Sequence, residues 1–186
     1  MILILVISFP VMTGIARGAT ILHEQTIAGG SSSSTTVSTS SSLTGVANHL
    51  YLAAIMTKSG SPTVKSVTGL GLTWTLLKAQ CAGRNQTRVE VWKAMGLPTG
   101  NGVVTATLSS APLNAVILVS RYSGVNITTP IGNIISVNTK GVGGVCSGGV
   151  DNTSYSVNLA TAVPNALVYG AIAMRNRNHM PGTGYT

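Results

Sequence analysis

The stretch Leu72–Gly124, LTWTLLKAQCAGRNQTRVEVWKAMGLPTGNGVVTATLSSAPLNAVILVSRYSG, decides how the rest of the chain is read. Four runs of alternating or β-branched residues lie in it: Thr73–Gln80, Thr87–Met95, Val103–Leu108 and Ala115–Tyr122. The breaks between them, CAGRNQ, GLPTGNG and SSAPLN, are polar and carry Gly or Pro. In Thr87–Met95, Thr87, Val89 and Val91 fall on one face and Arg88, Glu90 and Trp92 on the other. A period of two over this length predicts strands with one buried face, and short polar breaks predict antiparallel hairpins. The expected arrangement is a β-meander.

Further strands are expected on both sides of it. Upstream they are Thr20–Ile27, closed by Gly29-Gly30, then part of the Ser/Thr tract Ser31–Ser42, His49–Lys58 and Thr63–Thr68. Downstream they are Ile131–Val137, Ser154–Ala160 and Ala166–Met174, with GVGGVCSGG as a loop. No stretch has the three-to-four-residue apolar period of an amphipathic helix. About ten short strands with frequent turn signals predict an all-β, antiparallel β-sandwich of jelly-roll type. Its 186 residues suit a single domain with a real core, taken as residues 19–186.

Composition points the same way. Charged residues make up only 8% of the chain, and Gly, Ser, Thr and Val abound, which suits strands with a Ser/Thr outer face. The formal charge is +8, from eleven Lys and Arg against three Asp and Glu. Lys58, Lys65, Lys78, Arg84, Arg88, Lys93, Arg121 and Lys140 are spread singly along the chain, without the clustering that nucleic-acid binding requires. The expectation is a solvated, mildly basic surface with weak attraction to anionic cell-surface polymers and no nucleic acid.

Met1–Ala16 (MILILVISFPVMTGIA) is apolar and uncharged, shorter than the roughly 20 residues of a membrane span. Ala16-Arg17-Gly18 follows as a small-x-small pattern suited to cleavage after Gly18, so residues 1–18 read as a secretory signal peptide. The segment has no Lys or Arg before its apolar run, and the other readings are a true start lying upstream, an N-terminal membrane anchor or a buried strand. Export is consistent with three glycosylation sequons, at Asn85, Asn126 and Asn152. It is also consistent with two cysteines, Cys81 and Cys146, which would make one disulfide or remain two free thiols.

The combination GLGLTWTLLKAQ, RVEVWKAMG, VTATLSS, NAVILVSRYSGV and NALVYGAIAMRNRNHMPGTGYT resembles an uncharacterised β-sandwich domain of secreted and surface proteins in bacteria and archaea. The similarity runs from about Ala19 to Thr186, and the Trp-x-Leu and Val-x-Trp strand pair is its most specific part. The resemblance implies extracellular placement and a structural or adhesive role, with no catalytic residue to carry over. In that family the sequence continues past the Gly-Tyr-Thr segment, so the last strands of the sandwich are expected to be missing here.

Catalytic chemistry finds little to work with. Glu24, Glu90 and Asp151 are the only acids, and none has the close carboxylate partner that glycoside hydrolysis needs. Glu90 reads as a paired strand residue and Asp151 as a turn residue. His23, His49 and His179 are isolated, neither Cys has Cys-x-x-Cys spacing, and calcium cages draw on several acids, which leaves only a carbonyl-rich site open. Gly144-Val145-Cys146-Ser147-Gly148 matches a nucleophile elbow in letters, but no helix follows it.

The expected function is therefore a non-enzymatic secreted or surface module, without cofactor or metal, in structure or adhesion. Two alternatives stand beside it. One is carbohydrate binding by exposed aromatics among Tyr51, Trp74, Trp92 and Tyr155. The other is a filament subunit completed by donor-strand exchange through an edge strand such as Thr20–Ile27 or the C-terminal segment. Partners are then extracellular polymers, including glycans, or a second copy.

Overall fold

A computed structural model describes residues 20–152, 156–161 and 163–175, together with the strand formed by residues 4–8. Ile4–Ser8, inside the segment read as a signal peptide, an anchor or a buried strand, is placed in a strand; the expected cleavage point after Gly18, Tyr155 and the tail beyond Arg175 lie outside the described residues. The chain is an all-β antiparallel sandwich. Its strands are β1 (Ile4–Ser8), β2 (Leu22–Ser32), β3 (Thr36–Ser38), β4 (Leu50–Lys58), β5 (Val64–Thr68) and β6 (Thr75–Cys81). They continue as β7 (Thr87–Ala94), β8 (Thr105–Leu108), β9 (Asn114–Ser123), β10 (Ile134–Asn138), β11 (Gly141–Val142) and β12 (Val168–Ile172).

Three sheets are stacked. The middle one has five strands in the order β2-β9-β4-β7-β6. One of its faces meets the three-stranded sheet β3-β8-β5, and the other meets β11-β10-β1-β12. Strand β4 shows why. Tyr51, Ala53 and Ile55 enter one core with Val37, Val67, Ala106 and Leu108, while Leu50, Leu52 and Ala54 enter a second core with Ala171 and Ala173. A strand buried on both faces must be apolar at every position, and LYLAAI is.

This layering corrects two expectations. Thr87–Ala94 does not have one buried face: Val89 and Val91 pack in the second core, and Glu90 is buried on the other side. Nor is Leu72–Gly124 a continuous meander. β6 and β7 form the expected hairpin, but β8 crosses to the outer sheet, and β9 returns to pair with β2 and β4. The break after β7 is long enough to change layers, and Gly96, at φ 143°, takes a backbone conformation that side-chain-bearing residues avoid.

Other boundaries shift for local reasons. Gly29-Gly30 does not end β2, which continues to Ser32; a Cβ on Gly29 would lie 1.8 Å from the Ser38 carbonyl oxygen, so glycine lets the end of β3 press on β2. Of the expected strand Ser154–Ala160, the described residues 156–160 form no ladder. Their alternation is real, since Val157 and Leu159 pack on the outer face of the β10–β12 sheet, and the Asn133 side chain donates to the Ala160 carbonyl at 2.8 Å. Period two there records packing without strand pairing.

Candidate functional site

The most elaborated local structure lies where β6 runs into CAGRNQ. β6 ends at Cys81, and Ala82–Gln86 turns tightly into β7, with Ala82 N–H bonded to Thr87 O at 2.8 Å and Asn85 at φ 52°. Cys146, in the glycine-rich loop after β11, is joined to Cys81 by a disulfide with Cα atoms 5.5 Å apart. With its sulfur bonded in this way Cys146 is no nucleophile, and the elbow-like GVCSG is a loop anchor.

Buried amides hold the rest of that loop. The Asn138 side-chain NH2 donates to Cys81 O at 2.9 Å, Gly144 O at 2.8 Å and Val145 O at 3.2 Å, while its oxygen accepts the Lys140 N–H at 2.8 Å. Gln80 donates to Gly144 O at 2.8 Å and accepts from the Ser136 hydroxyl at 2.9 Å. These three polar residues are at most 6% exposed, so each needs the partners it has. The glycines are required by contact. A Cβ on Gly144 would sit 2.1 Å from Asn138 Oδ1, and Gly149 donates its N–H to Gly83 O at 2.8 Å with no room for a side chain.

Charge converges on this end. Arg84, on the turn, pairs with Asp151 at 2.6 Å, both well exposed, a contact worth at most about 1 kcal/mol. Arg88 Nε meets Glu90 Oε1 at 2.6 Å; the same oxygen accepts Val64 N–H at 3.2 Å, and Glu90 Oε2 accepts Trp92 Nε1–H at 3.3 Å. Lys58 lies opposite Thr87 at the end of β4, Lys140 lies beside Gly83, and Arg175 hydrogen-bonds Gln86. Among the described residues, Lys58, Lys140 and Arg175 pair with no carboxylate. Basic residues that are scattered in sequence are therefore gathered by the fold.

The third acid is at the opposite end. Arg121 Nε donates to Glu24 at 2.9 Å, His49 Nε2 lies 3.3 Å from it, and Arg121 also reaches Thr44 O at 2.7 Å. A hydrogen bond from Ser123 is the largest influence holding the Glu24 carboxyl below its ordinary range; burial opposes it, and Arg121 and His49 reinforce it.

The aromatic candidates for sugar stacking fare unequally. Tyr51 is fully buried, its hydroxyl accepting Val46 N–H at 2.7 Å, and its ring meets Trp74 edge-on at 6.5 Å. Trp74 is 7% exposed and donates to Gly69 O, and Trp92 packs half-buried against the same core. Neither Tyr51 nor Trp74 offers a face to a ligand. Of the sequon residues, Asn85 is exposed, and Asn126 caps its own turn by accepting from Thr128 and Thr129 N–H. Asn152 is exposed beside Asp151. Among the described residues, no three His, Cys, Asp or Glu side chains are grouped to hold a metal ion.

Two features of this end were not read from the sequence. The amide anchors Gln80 and Asn138 carry no local signal, because a buried Gln in a strand looks like any outward polar residue. The basic convergence depends on which strand ends meet. No protein-family model, curated protein or solved structure matches the chain.

Proposed function

We propose that the chain is a non-enzymatic, secreted or surface-displayed β-sandwich module with a structural and adhesive role, and that it meets an anionic extracellular polysaccharide with its disulfide-pinned end. One observation carries this reading. Lys58, Arg84, Lys140 and Arg175 lie on the strand ends and loops around the Ala82–Gln86 turn, while the acids Glu90 and Asp151 are each held by an arginine, Arg88 and Arg84. A fixed loop surface with surplus positive charge attracts polyanions without needing a deep pocket, and binding of this kind weakens as salt rises. Loops at the end of a rigid sandwich are also where recognition is commonly placed.

The test is retention on immobilised anionic polysaccharide, with a neutral polysaccharide as the control. Replacing Lys58, Lys140 and Arg175 together by Glu should lower affinity at least about tenfold at low salt. Lys65→Glu, at an exposed position of β5 in the outer sheet, should change it little. Equal losses for the two variants would remove the localised site. Tighter binding to duplex DNA than to the polysaccharide would reassign the surface to phosphate.

A further inference from the structure

β1 stands between two strands that run parallel to each other. It pairs antiparallel with β10 from Ile4↔Val137 to Ile7↔Ile134, and with β12 from Ile4↔Ile172 to Ser8↔Val168. The sheet order β11-β10-β1-β12 gives β12 no other strand neighbour among the described residues. The two flanking strands are nevertheless anchored by contacts that do not involve β1. Ser136 and Asn138 tie β10 to Gln80 and Cys81. β12 is held by burial of Ala171 and, just beyond its end, by burial of Ala173 and the bond from Thr87 Oγ1 to Ala173 O at 3.4 Å. Without β1, two anchored strand edges would face each other about 9–10 Å apart, a gap one strand wide, with both rows of peptide groups open.

We propose that this position is a strand-acceptor slot, and that a second copy of the chain fills it with its own Ile4–Ser8. Donor and acceptor are present in every copy, so exchange recreates the same register and requires no new surface. Residues 9–21 join β1 to β2 and, fully extended, span about 45 Å, enough to reach a neighbouring molecule. The residues after Arg175 are weaker candidates, because Pro181, Gly182 and Gly184 are poor choices for a strand paired on both edges. The inference goes beyond the polysaccharide reading, since the slot and the basic loops are different surfaces. It takes residues 1–18 as retained, the buried-strand reading of that segment, because cleavage after Gly18 would remove Ile4–Ser8.

The experiment uses the full chain with Val6→Cys and Ile135→Cys, which stand opposite each other across β1 and β10. Refolding followed by oxidation over a wide concentration range should give an internal cross-link when dilute. The share of cross-linked dimer should rise at least about tenfold when concentrated, as mass action requires. An internal cross-link alone at every concentration overturns donation by a second copy. In parallel, Val6→Pro should expel β1 and let the chain bind a labelled peptide of residues 1–8 saturably, at least about tenfold more tightly than a Pro-containing scramble. If that variant keeps the wild-type circular dichroism, lack of saturable binding or equal binding of the scramble overturns the acceptor slot. If it does not fold, the cross-linking result decides.

Discussion

Glu90 shows how much one side chain depends on the layer that covers it. Its alternation with Arg88 and Trp92 was enough to mark it as a paired strand residue. The sequence could not show that the paired face is itself covered, because that follows from the outer sheet at β5, whose Val64 N–H the carboxylate accepts. A carboxylate 2% exposed with an arginine, an indole and a peptide N–H around it is costly to remove, because each donor is left without its acceptor. Glu90→Ala should lower the unfolding free energy by about 3 kcal/mol, and Glu90→Gln, which keeps an acceptor, by about 1–2 kcal/mol. Urea denaturation measures both, and an Ala variant within about 0.5 kcal/mol of the parent would mean that the pairs contribute nothing net.

At the level of elements, the segment after β11 was legible as a loop, but the role of its glycines was not. They permit close contact, with Gly144 against Asn138 and Gly149 against Gly83. The bridge closes a sequence separation of 65 residues. Replacing Cys81 and Cys146 by Ser should cost about 2–4 kcal/mol in urea denaturation. Limited proteolysis of that variant should cut first within residues 139–151, where backbone contacts to β6 no longer have a covalent anchor. First cleavage elsewhere would show that the amides Gln80 and Asn138 hold the loop unaided. Strand positions in Leu72–Gly124 were legible because alternation is local. The meander failed because the partner of each strand is set by which layer accepts it, and no run of residues encodes that.

For the molecule as a whole, the scarcity of acids becomes a matter of placement. Each of the three is paired with an arginine, at both ends and within the stack. Among them, Glu24 has its carboxyl held below its ordinary range by Ser123, Arg121 and His49. For Glu24 the folded carboxyl titrates below its unfolded value, so its contribution is present above the unfolded value and is lost as pH falls through the folded one. Thermal melts between about pH 5 and pH 2 should show a falling melting temperature, and Glu24→Gln should flatten part of that slope. An unchanged slope would place the acid sensitivity elsewhere. The fold class was visible from strand count and turn spacing. The third layer was foreshadowed only by the unbroken apolar run of β4, a signal that a helix would also have given.

That run also bears on how the sequence can change over generations. A strand with one wet face can drift on its outer positions while the inner ones stay fixed. β4 has no such side: from Leu50 to Ile55 every residue is 2% exposed or less, and neighbours in sequence belong to different cores. A replacement there must suit its own core, while the next residue along answers to the other. Variation among descendants of this chain should therefore collect on the exposed face of β2, where Thr26, Ala28, Gly30 and Ser32 meet solvent, and spare β4.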